Sequence, residues 1–378
     1  MMSIRRIVAV AAAGVLCVSS LTAQGALSTQ GFGYPFGELS TRALSLGGAV
    51  GEFDLQSPIN PAALGIGIRS GAWVQYSPEF RSLNAGNGTF TNTTARFPLF
   101  GVTAKYEDFT VGMSFTSYLD RTWTNSYDDT LMLGGVRTPS HATAQSTGGI
   151  NDARLALAWA INPKLSIGLG LHVLPGQNKV LLARDFVDTL KIGSYTNAST
   201  ITYIGQALSL GITGTPVEHL NVAGSIRLGG PMQVRAGDST LVGEGRVPMR
   251  LGVSAAYEGF AGSAIVVRYD TERWSSLKGL GSAAVNLHDA TTLSAGVEFA
   301  GPKLGGLPIA LRVGALSRTL PFSSTADAVK ESGLSSGVGL AFAQGRFALD
   351  IGALFATRTA SGLTEKATTL SVGLAIRP

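Results

Sequence analysis

The side chains that could carry out chemistry are few in this 378-residue chain. The histidines are His141, His172, His219 and His288, and no two of them share the spacing of metal ligands on one element. No serine–histidine or aspartate–histidine pairing can be recognised from the sequence, so no catalytic triad is nominated. The single cysteine, Cys17, falls in the N-terminal targeting segment discussed below. The sequence therefore predicts no catalytic residue, no metal site and no cofactor, and we expect a protein that is not an enzyme.

Arginine is the side chain that could act on a ligand, because its guanidinium pairs with carboxylates. In the segments that alternate apolar and small residues, the small-residue face carries these charges: Lys105, Arg154, Arg227, Arg250, Arg268, Arg312, Asp270, Glu298 and Asp350. Cations outnumber anions in this set, which would attract an anionic headgroup. Arg268 and Arg312 are therefore candidate ligand-binding residues. Alternatively, these arginines pair with the neighbouring acids and stabilise the fold.

The elements that would position these side chains are β-strands rather than helices. Hydrophobic residues make up 45% of the chain, charged residues only 14%, and 49 residues are glycine. This composition excludes a disordered chain and collagen, and the low charge indicates a surface covered by lipid. The longest apolar run, Ile7–Val18, is too short for a membrane helix, which needs about twenty residues. The net charge of +5 is scattered along the chain, which excludes a nucleic-acid surface.

Apolar residues alternate with small or polar ones, as in strands that separate lipid from a wet interior. At the C-terminus Leu370, Val372, Leu374 and Ile376 share one face. The same pattern predicts about fourteen strands, at approximately 70–80, 94–106, 109–123, 147–160, 165–178, 200–214, 219–233, 245–257, 260–274, 287–300, 307–320, 332–343, 346–359 and 365–378. Short turns alternate with long polar loops, which is typical of a closed antiparallel transmembrane β-barrel. The fold class is therefore all-β.

Membrane placement follows from the same pattern. An even number of strands puts both termini on the periplasmic side of the cell outer membrane. Aromatic residues gather at the short turns, as Tyr106, Phe109, Tyr257 and Phe260 do. This repeated position favours a girdle at the lipid–water interface. Aromatic packing within single hairpins is the alternative.

The N-terminus has the three parts of a secretory signal peptide. Arg5 and Arg6 form the basic start, an apolar run follows, and small residues lead to Ala23. Cleavage after Ala23 would remove Cys17 and leave a mature chain without cysteine. The predicted division of the chain is a signal peptide at 1–23, an N-terminal segment at 24–69 and a transmembrane barrel at 70–378.

The N-terminal segment does not alternate, and it carries a motif known from one family. The stretch Thr41–Ala49 contains Arg-x-x-x-x-Gly-Gly-Ala, and Asn-Pro-Ala-x-Leu follows shortly before the first strand. This arrangement resembles the FadL/TodX type of outer-membrane fatty-acid transporters, whose superfamily includes the PorV-like barrels of the type IX secretion machinery. The resemblance implies an N-terminal hatch folded inside the lumen. The matching hatch residues are Arg42, Gly47, Gly48, Asn60, Pro61 and Ala62.

The backbone preferences of the motif residues support an ordered structure in this segment. Asn60 can cap a short helix that has Pro61 in its first turn, where a missing N–H is harmless. Gly47 and Gly48 allow the backbone to turn sharply against the wall. A local turn without a plugging role is the alternative.

One external connection carries a candidate capture surface. Leu182, Phe186 and Leu190 recur every four residues, which is the spacing of an amphipathic helix. Such a stripe could bind the apolar tail of a ligand. The same residues also fit a strand that simply projects above the membrane.

These observations together lead us to expect passive uptake of hydrophobic or amphiphilic, fatty-acid-like small molecules. Two alternatives stay open. One is a PorV-like barrel that binds secreted proteins at the cell surface, and the other is a structural barrel with a sealed lumen. The expected partners are outer-membrane lipid, a hydrophobic small-molecule ligand and, for the first alternative, a secreted protein. No nucleic acid is expected.

Overall fold

The computed structural model describes residues 27–67, 70–85, 88–186, 193–260, 262–280, 285–303 and 307–377. The predicted signal peptide at 1–23 and the candidate ligand-binding residue Leu190 lie outside the described residues. Within the described ranges, no helix combines the length and the apolar character that crossing a membrane requires.

Fourteen antiparallel wall strands form a closed barrel, which confirms the predicted fold class. The strands are β1 (Gly71–Tyr76 and Glu79–Ala85), β2 (Gly88–Thr94 and Leu99–Tyr106), β3 (Phe109–Asp120 and Trp123–Leu133), β4 (Val136–Asn162), β5 (Leu165–Phe186), β6 (Tyr195–Val217), β7 (Leu220–Ala236), β8 (Leu241–Arg246 and Arg250–Phe260), β9 (Ser263–Glu272), β10 (Ala290–Ala300), β11 (Ile309–Thr319), β12 (Lys330–Phe342), β13 (Phe347–Ala360) and β14 (Leu363–Ile376). The first strand pairs with the last, with Val74 opposite Leu374, and this seam closes the wall.

Short irregular stretches divide several strands into two pieces without opening the wall. Pro78 interrupts β1 and Pro98 interrupts β2, because proline has no N–H for the ladder. Their carbonyl groups still accept hydrogen bonds, from the amides of Leu370 at 3.0 Å and Ser117 at 2.9 Å. The ladder therefore continues across both interruptions.

The predicted alternation of side chains is confirmed in the wall. Along β14, Leu370 and Leu374 are 44% exposed on the outer face, whereas Ser371 between them is fully buried. Leu354 of β13 breaks the pattern in the sequence because it points inward and packs against Leu44 of the N-terminal segment. The apolar outer face is the surface that lipid would cover.

The aromatic residues at the turns are exposed and also paired. Phe109 and Trp159 stack with ring centroids 6.0 Å apart, and Tyr257 meets Phe260 edge to face at 5.6 Å. All four rings lie at the outer surface, with exposed fractions between 43% and 55%. Their positions thus fit an interfacial girdle and packing within hairpins at the same time.

Strands β4 and β5 are much longer than the roughly 9–11 residues needed to cross a membrane. With the second piece of β3 and the start of β6, they form a sheet that projects from the long-loop end of the barrel. Leu182 and Phe186 belong to this sheet, so the expected helix is wrong at these two residues, and they fit the projecting-strand interpretation instead. A spacing of four also keeps residues on one face of a strand, which explains the ambiguity.

The N-terminal segment consists of short elements. They are a 3-10 turn at Leu27–Thr29, a two-residue strand at Tyr34–Pro35, helix α1 (Thr41–Ser45), a 3-10 turn at Ala49–Glu52 and helix α2 (Ala63–Ile66). Elsewhere there are 3-10 turns at Trp274–Leu280 and Ala343–Gly345, and Asn286–Leu287 pairs with Phe322–Ser323.

The segment bonds to inward-facing residues on opposite sides of the wall. The Thr41 and Ser371 hydroxyls are 2.7 Å apart at β14, and Ser254 of β8 donates to the Ala49 carbonyl at 2.9 Å. Because these contacts lie on opposite sides, the segment occupies the centre of the barrel.

Candidate functional site in the lumen

A capped turn starts helix α1 and holds the loop that follows it. The Ser40 side chain accepts a hydrogen bond from the Ala43 amide at 3.1 Å, which is the geometry of an N-cap. The Ser40 hydroxyl also donates to the Asp54 carboxylate, to which Ser57 donates at 2.7 Å. Asp54 therefore ties the beginning of the helix to a loop more than ten residues later.

Gly47 and Gly48 make the sharp turn against the wall that the sequence predicts. Both have positive φ, +66° and +91°, which L-residues with side chains rarely adopt. A Cβ atom on Gly47 would lie 2.5 Å from the Ala315 carbonyl oxygen of β11. The Gly47 amide donates to the Ser335 hydroxyl of β12 at 2.8 Å. Only glycine fits this close approach.

Asn60 connects the segment to β6. Its side-chain oxygen accepts from the Ala62 amide at 2.9 Å, and its side-chain amide donates to the Ile212 carbonyl at 3.2 Å. Helix α2 itself begins at Ala63, so Asn60 shapes the turn before the helix and does not cap it as expected. A Cβ atom on Gly211 would come within 1.8 Å of the Asn60 side chain, so the wall glycine provides the room for Asn60.

Acids from the N-terminal segment neutralise arginines of the wall. Arg250 bonds to Glu52 at 2.6 Å, and Arg227 bonds to Glu38 at 2.5 Å and to Glu272 at 2.9 Å. Burial would raise the pKa of Glu38, but the Arg227 guanidinium offsets burial and lowers the pKa below its ordinary value. Two of the cations inferred from the strands, Arg227 and Arg250, therefore have acidic partners in the N-terminal segment.

The candidate ligand-binding arginines are both ion-paired. Arg268 Nη2 forms an ion pair with Asp270 Oδ1 at 2.6 Å, and Arg312 bonds to Glu298 at 2.6 Å and to Asp350 at 2.5 Å. These contacts support the alternative in which the arginines stabilise the fold. A role for Arg268 or Arg312 in ligand binding stays a prediction.

Arg42 of the motif joins the second of these pairs. Its guanidinium donates to both carboxylate oxygens of Glu298, at 2.9 and 3.1 Å. Burial would lower the pKa of Arg42, but Glu298 raises it above its ordinary value, so the cation is held firmly. Arg42 thereby connects α1 to strand β10.

A second buried charge cluster, which sequence reasoning missed, surrounds Tyr34 at the long-loop end. Its members are Glu79, Arg81, Arg96, Asp120, Arg318, Glu331, Arg358 and Glu365. The Tyr34 hydroxyl donates to Glu331 at 2.8 Å, and burial raises the pKa of Tyr34 to about 12. Charged residues at inward-facing positions of the alternating strands are the sequence feature from which this cluster could have been predicted.

The structure brings together a histidine, an aspartate and a serine whose pairing could not be recognised from the sequence. His172 Nδ1 lies 2.8 Å from the Asp152 carboxylate, and His172 Nε2 lies 2.8 Å from the Ser209 hydroxyl. The three residues stand on the neighbouring strands β4, β5 and β6, and all are almost fully buried. Residues far apart in the sequence meet here because the strand register aligns them, and residue spacing does not reveal register.

Two cavities lie on either side of helix α1. The first, of about 100 Å³, is at the long-loop end and is lined by Leu39, Leu44, Ile59, Tyr118 and Trp274, among others. The second, of about 650 Å³, is lined by Arg42 and by residues of the short turns. Leu44 contributes to the first cavity and Arg42 to the second. The N-terminal segment therefore separates two spaces within the lumen.

No protein-family model and no curated protein matches the chain by sequence. Solved structures match it over most of its length. A Pseudomonas aeruginosa FadL homologue has a TM-score of 0.59 and 13% identity, covering 89% of this chain and 98% of that one. The Ralstonia pickettii toluene transporter TbuX has a TM-score of 0.54 and 13% identity, covering 90% and 98%. The CymD monoaromatic hydrocarbon channel has a TM-score of 0.55 and 14% identity, covering 90% and 97%. The chain therefore has the fold of the FadL-type channels, as its motifs suggested.

Proposed function

We propose that this protein is an outer-membrane channel for the passive uptake of small hydrophobic molecules. The observation that carries the proposal is the divided lumen. A small cavity faces the long loops, a larger one faces the short turns, and α1 lies between them. A molecule moving from one cavity to the other has to pass the N-terminal segment, which would then act as a hatch. The proposed boundaries of this hatch are residues 24–69.

The size of the first cavity limits the ligand to a small molecule. An apolar cavity of about 150 Å³ binds benzene, whereas this one measures about 100 Å³ and is also lined by charged side chains such as Arg250, Arg268 and Asp270. Leu39, Leu44, Ile59 and Leu354 supply apolar contacts, and Trp274 supplies an aromatic one. The FadL-type neighbours include proteins described as toluene transporters, which supports the same ligand class.

A long-chain fatty acid has weaker support. Its chain would not fit the first cavity unless the N-terminal segment moved, and the candidate arginines Arg268 and Arg312 already have acidic partners. Neither the PorV-like role nor a sealed structural barrel is favoured by a specific contact in the described part of the chain. Uptake of a small apolar molecule is therefore the function that we put forward.

Orientation forms part of the proposal. Outer-membrane barrels have short periplasmic turns and long external loops. We therefore propose that the projecting sheet lies outside the cell and that both termini are periplasmic. Residues 1–23 would direct export and be removed, and the apolar outer face of 70–378 would contact lipid.

A cavity-filling substitution tests uptake directly. Leu354→Trp places an indole in the first cavity, and we expect it to reduce uptake of radiolabelled toluene by a Gram-negative host at least tenfold. Leu370→Trp on the lipid-facing side of β14 is the matched control and should leave uptake unchanged. Equal uptake by both variants and the wild type would show that the first cavity is not on the route.

Deletion of Ser40–Leu64 tests the hatch. Wild-type protein should conduct little in planar bilayers, and the deletion should raise single-channel conductance, provided that heat-dependent gel mobility shows a folded barrel. Equal conductance would mean that the segment does not obstruct the pore.

A further inference from the structure

Asp152, His172 and Ser209 form a continuous chain of hydrogen bonds on the inner face of the wall. Both Asp152 carboxylate oxygens lie near His172 Nδ1, at 2.8 and 3.0 Å, and Ser209 Oγ is 2.8 Å from His172 Nε2. An anion at Nδ1 fixes the proton on that nitrogen. Nε2 is then left as the acceptor for the serine proton. This is the arrangement that activates a serine nucleophile, whichever fold carries it.

The three side chains face the lumen rather than the lipid. His172 is 3% exposed, whereas its neighbours Leu171 and Val173 are 54% and 51% exposed on the outer face. Ser209 alternates in the same way with Leu210. All three side chains therefore lie on the inner side of the wall, where Ser209 is 1% exposed.

A second feature points to a ligand at the same place. Arg154, the cross-strand neighbour of His172, is 2% exposed, and its Nε and Nη1 have no hydrogen-bond partner in the described part of the chain. The Cβ position of Gly170 lies 2.4 Å from Ser209 Oγ, 3.4 Å from His172 Nε2 and 3.5 Å from the Arg154 side chain. The Arg154 side chain thus borders the same Gly170 position as Ser209, and its two unpartnered nitrogens could stabilise negative charge on a reacting oxygen there.

We propose that Ser209 is an activated nucleophile that accepts the acyl group of a small apolar ester within the lumen. Ser209 Oγ bonds to the carbonyl carbon while its proton passes to His172 Nε2. The carbon–oxygen bond to the alcohol then breaks, and the alcohol oxygen takes the proton from His172. The products are the free alcohol and acyl-Ser209, with no change in oxidation state. The proposal covers this single transfer and rests on the proposed passage of small apolar molecules through the lumen.

Diisopropyl fluorophosphate, a small apolar reagent for activated serines, is the probe. Wild-type protein in detergent should gain one adduct per chain, and peptide mass spectrometry should place it on Ser209. Ser209→Ala should gain none. His172→Gln should react at least 100-fold more slowly, because a general base contributes about 10²–10⁴-fold. Ser114→Ala is the matched control, since Ser114 is also buried and its hydroxyl has no partner among the described residues. It should react like the wild type.

Gly170→Ala provides an independent test, because its new methyl group would push Ser209 Oγ away from His172. It should slow the reaction as well. Heat-dependent gel mobility reports whether each variant is folded. Wild type without an adduct on Ser209, or folded His172→Gln reacting at the wild-type rate, would overturn the proposal. If the wild type forms the Ser209 adduct but takes up no toluene, the proposed function is overturned instead.

Discussion

Replacing Arg358 by methionine removes a guanidinium that three buried carboxylates share. Arg358 Nε bonds to Glu331 at 2.5 Å, and Nη1 bonds to Glu365 at 2.5 Å and to Glu79 at 3.2 Å. All four side chains are at most 1% exposed, so water does not replace the lost partner. Methionine keeps a flexible apolar side chain of similar length, which limits the cavity that is created.

The expected cost follows from the partners that remain. Glu79 retains Arg96 at 3.4 Å, and Glu331 retains Arg318 at 2.6 Å. Glu365 pairs only with Arg358 among the described residues, and its second oxygen has no hydrogen-bond partner there. Removing one member of a buried pair costs about 3–5 kcal/mol, because the other charge is left uncompensated. Most of the loss should therefore come from Glu365.

Urea unfolding in detergent, followed by tryptophan fluorescence, measures this loss. Arg358→Met should lower the free energy of unfolding by about 3–5 kcal/mol. Adding Glu365→Gln should restore more than half of it, because the unpaired charge is gone. Arg235→Met is the control, since Arg235 lies exposed on β7 and should change the free energy by at most about 0.5 kcal/mol. A double variant as unstable as the single one would refute the assignment to Glu365.

Three further outcomes are expected. In urea, Gly47→Ala should lower the free energy of unfolding by about 1–3 kcal/mol, and by more than Gly134→Ala does. Both glycines have positive φ, but only Gly47 has atoms within 4 Å of the new methyl group. Equal losses for the two variants would contradict the close approach. Because the pKa of Glu38 is lowered in the folded state, its ion pair stabilises the fold above the unfolded-state pKa of about 4.5. This stabilisation is lost as the pH falls through the lower pKa of the folded state. Glu38→Gln should therefore weaken the pH dependence of the free energy of unfolding, and an unchanged pH profile would contradict the role of this ion pair. Brominated lipid should quench Trp159, which is 43% exposed, and not Trp274, which is fully buried, so Trp159→Phe should abolish more of the quenching than Trp274→Phe.

The wall could be predicted from the sequence because lipid on one side and a packed lumen on the other impose a period of two. That period indicates the number of strands and which face Leu370 or Ser371 occupies. It does not indicate how far strands extend. The proposed position of the projecting part of β4 would leave both of its faces outside the lipid, where no alternation is required. The predicted start at 147 was accordingly eleven residues later than the observed Val136.

The candidate site could be predicted only in part. Gly47 and Gly48 could be recognised because a glycine pair can adopt the positive φ angles of a sharp turn in any sequence context. The bond between Glu52 and Arg250 joins residues 198 positions apart, and no local pattern indicates it. The contacts of His172 depend on strand register, which is set by turns and bulges along the whole sheet. Side-chain contacts between distant strands, or between the wall and the N-terminal segment, therefore could not be predicted from local sequence patterns.

The seam between β1 and β14 constrains the order in which the molecule assembles. The N-terminal segment holds both sides of this seam, since the Gln75 side chain of β1 donates to the Leu39 carbonyl at 3.3 Å and the Thr41 hydroxyl bonds to Ser371 of β14. The second contact joins residues 330 positions apart, so it cannot form before the last strand has been synthesised. Bringing such distant residues together is entropically costly and slow. Closure of the wall at this seam is therefore coupled to the seating of the N-terminal segment, because the same segment bonds to the first strand and to the last.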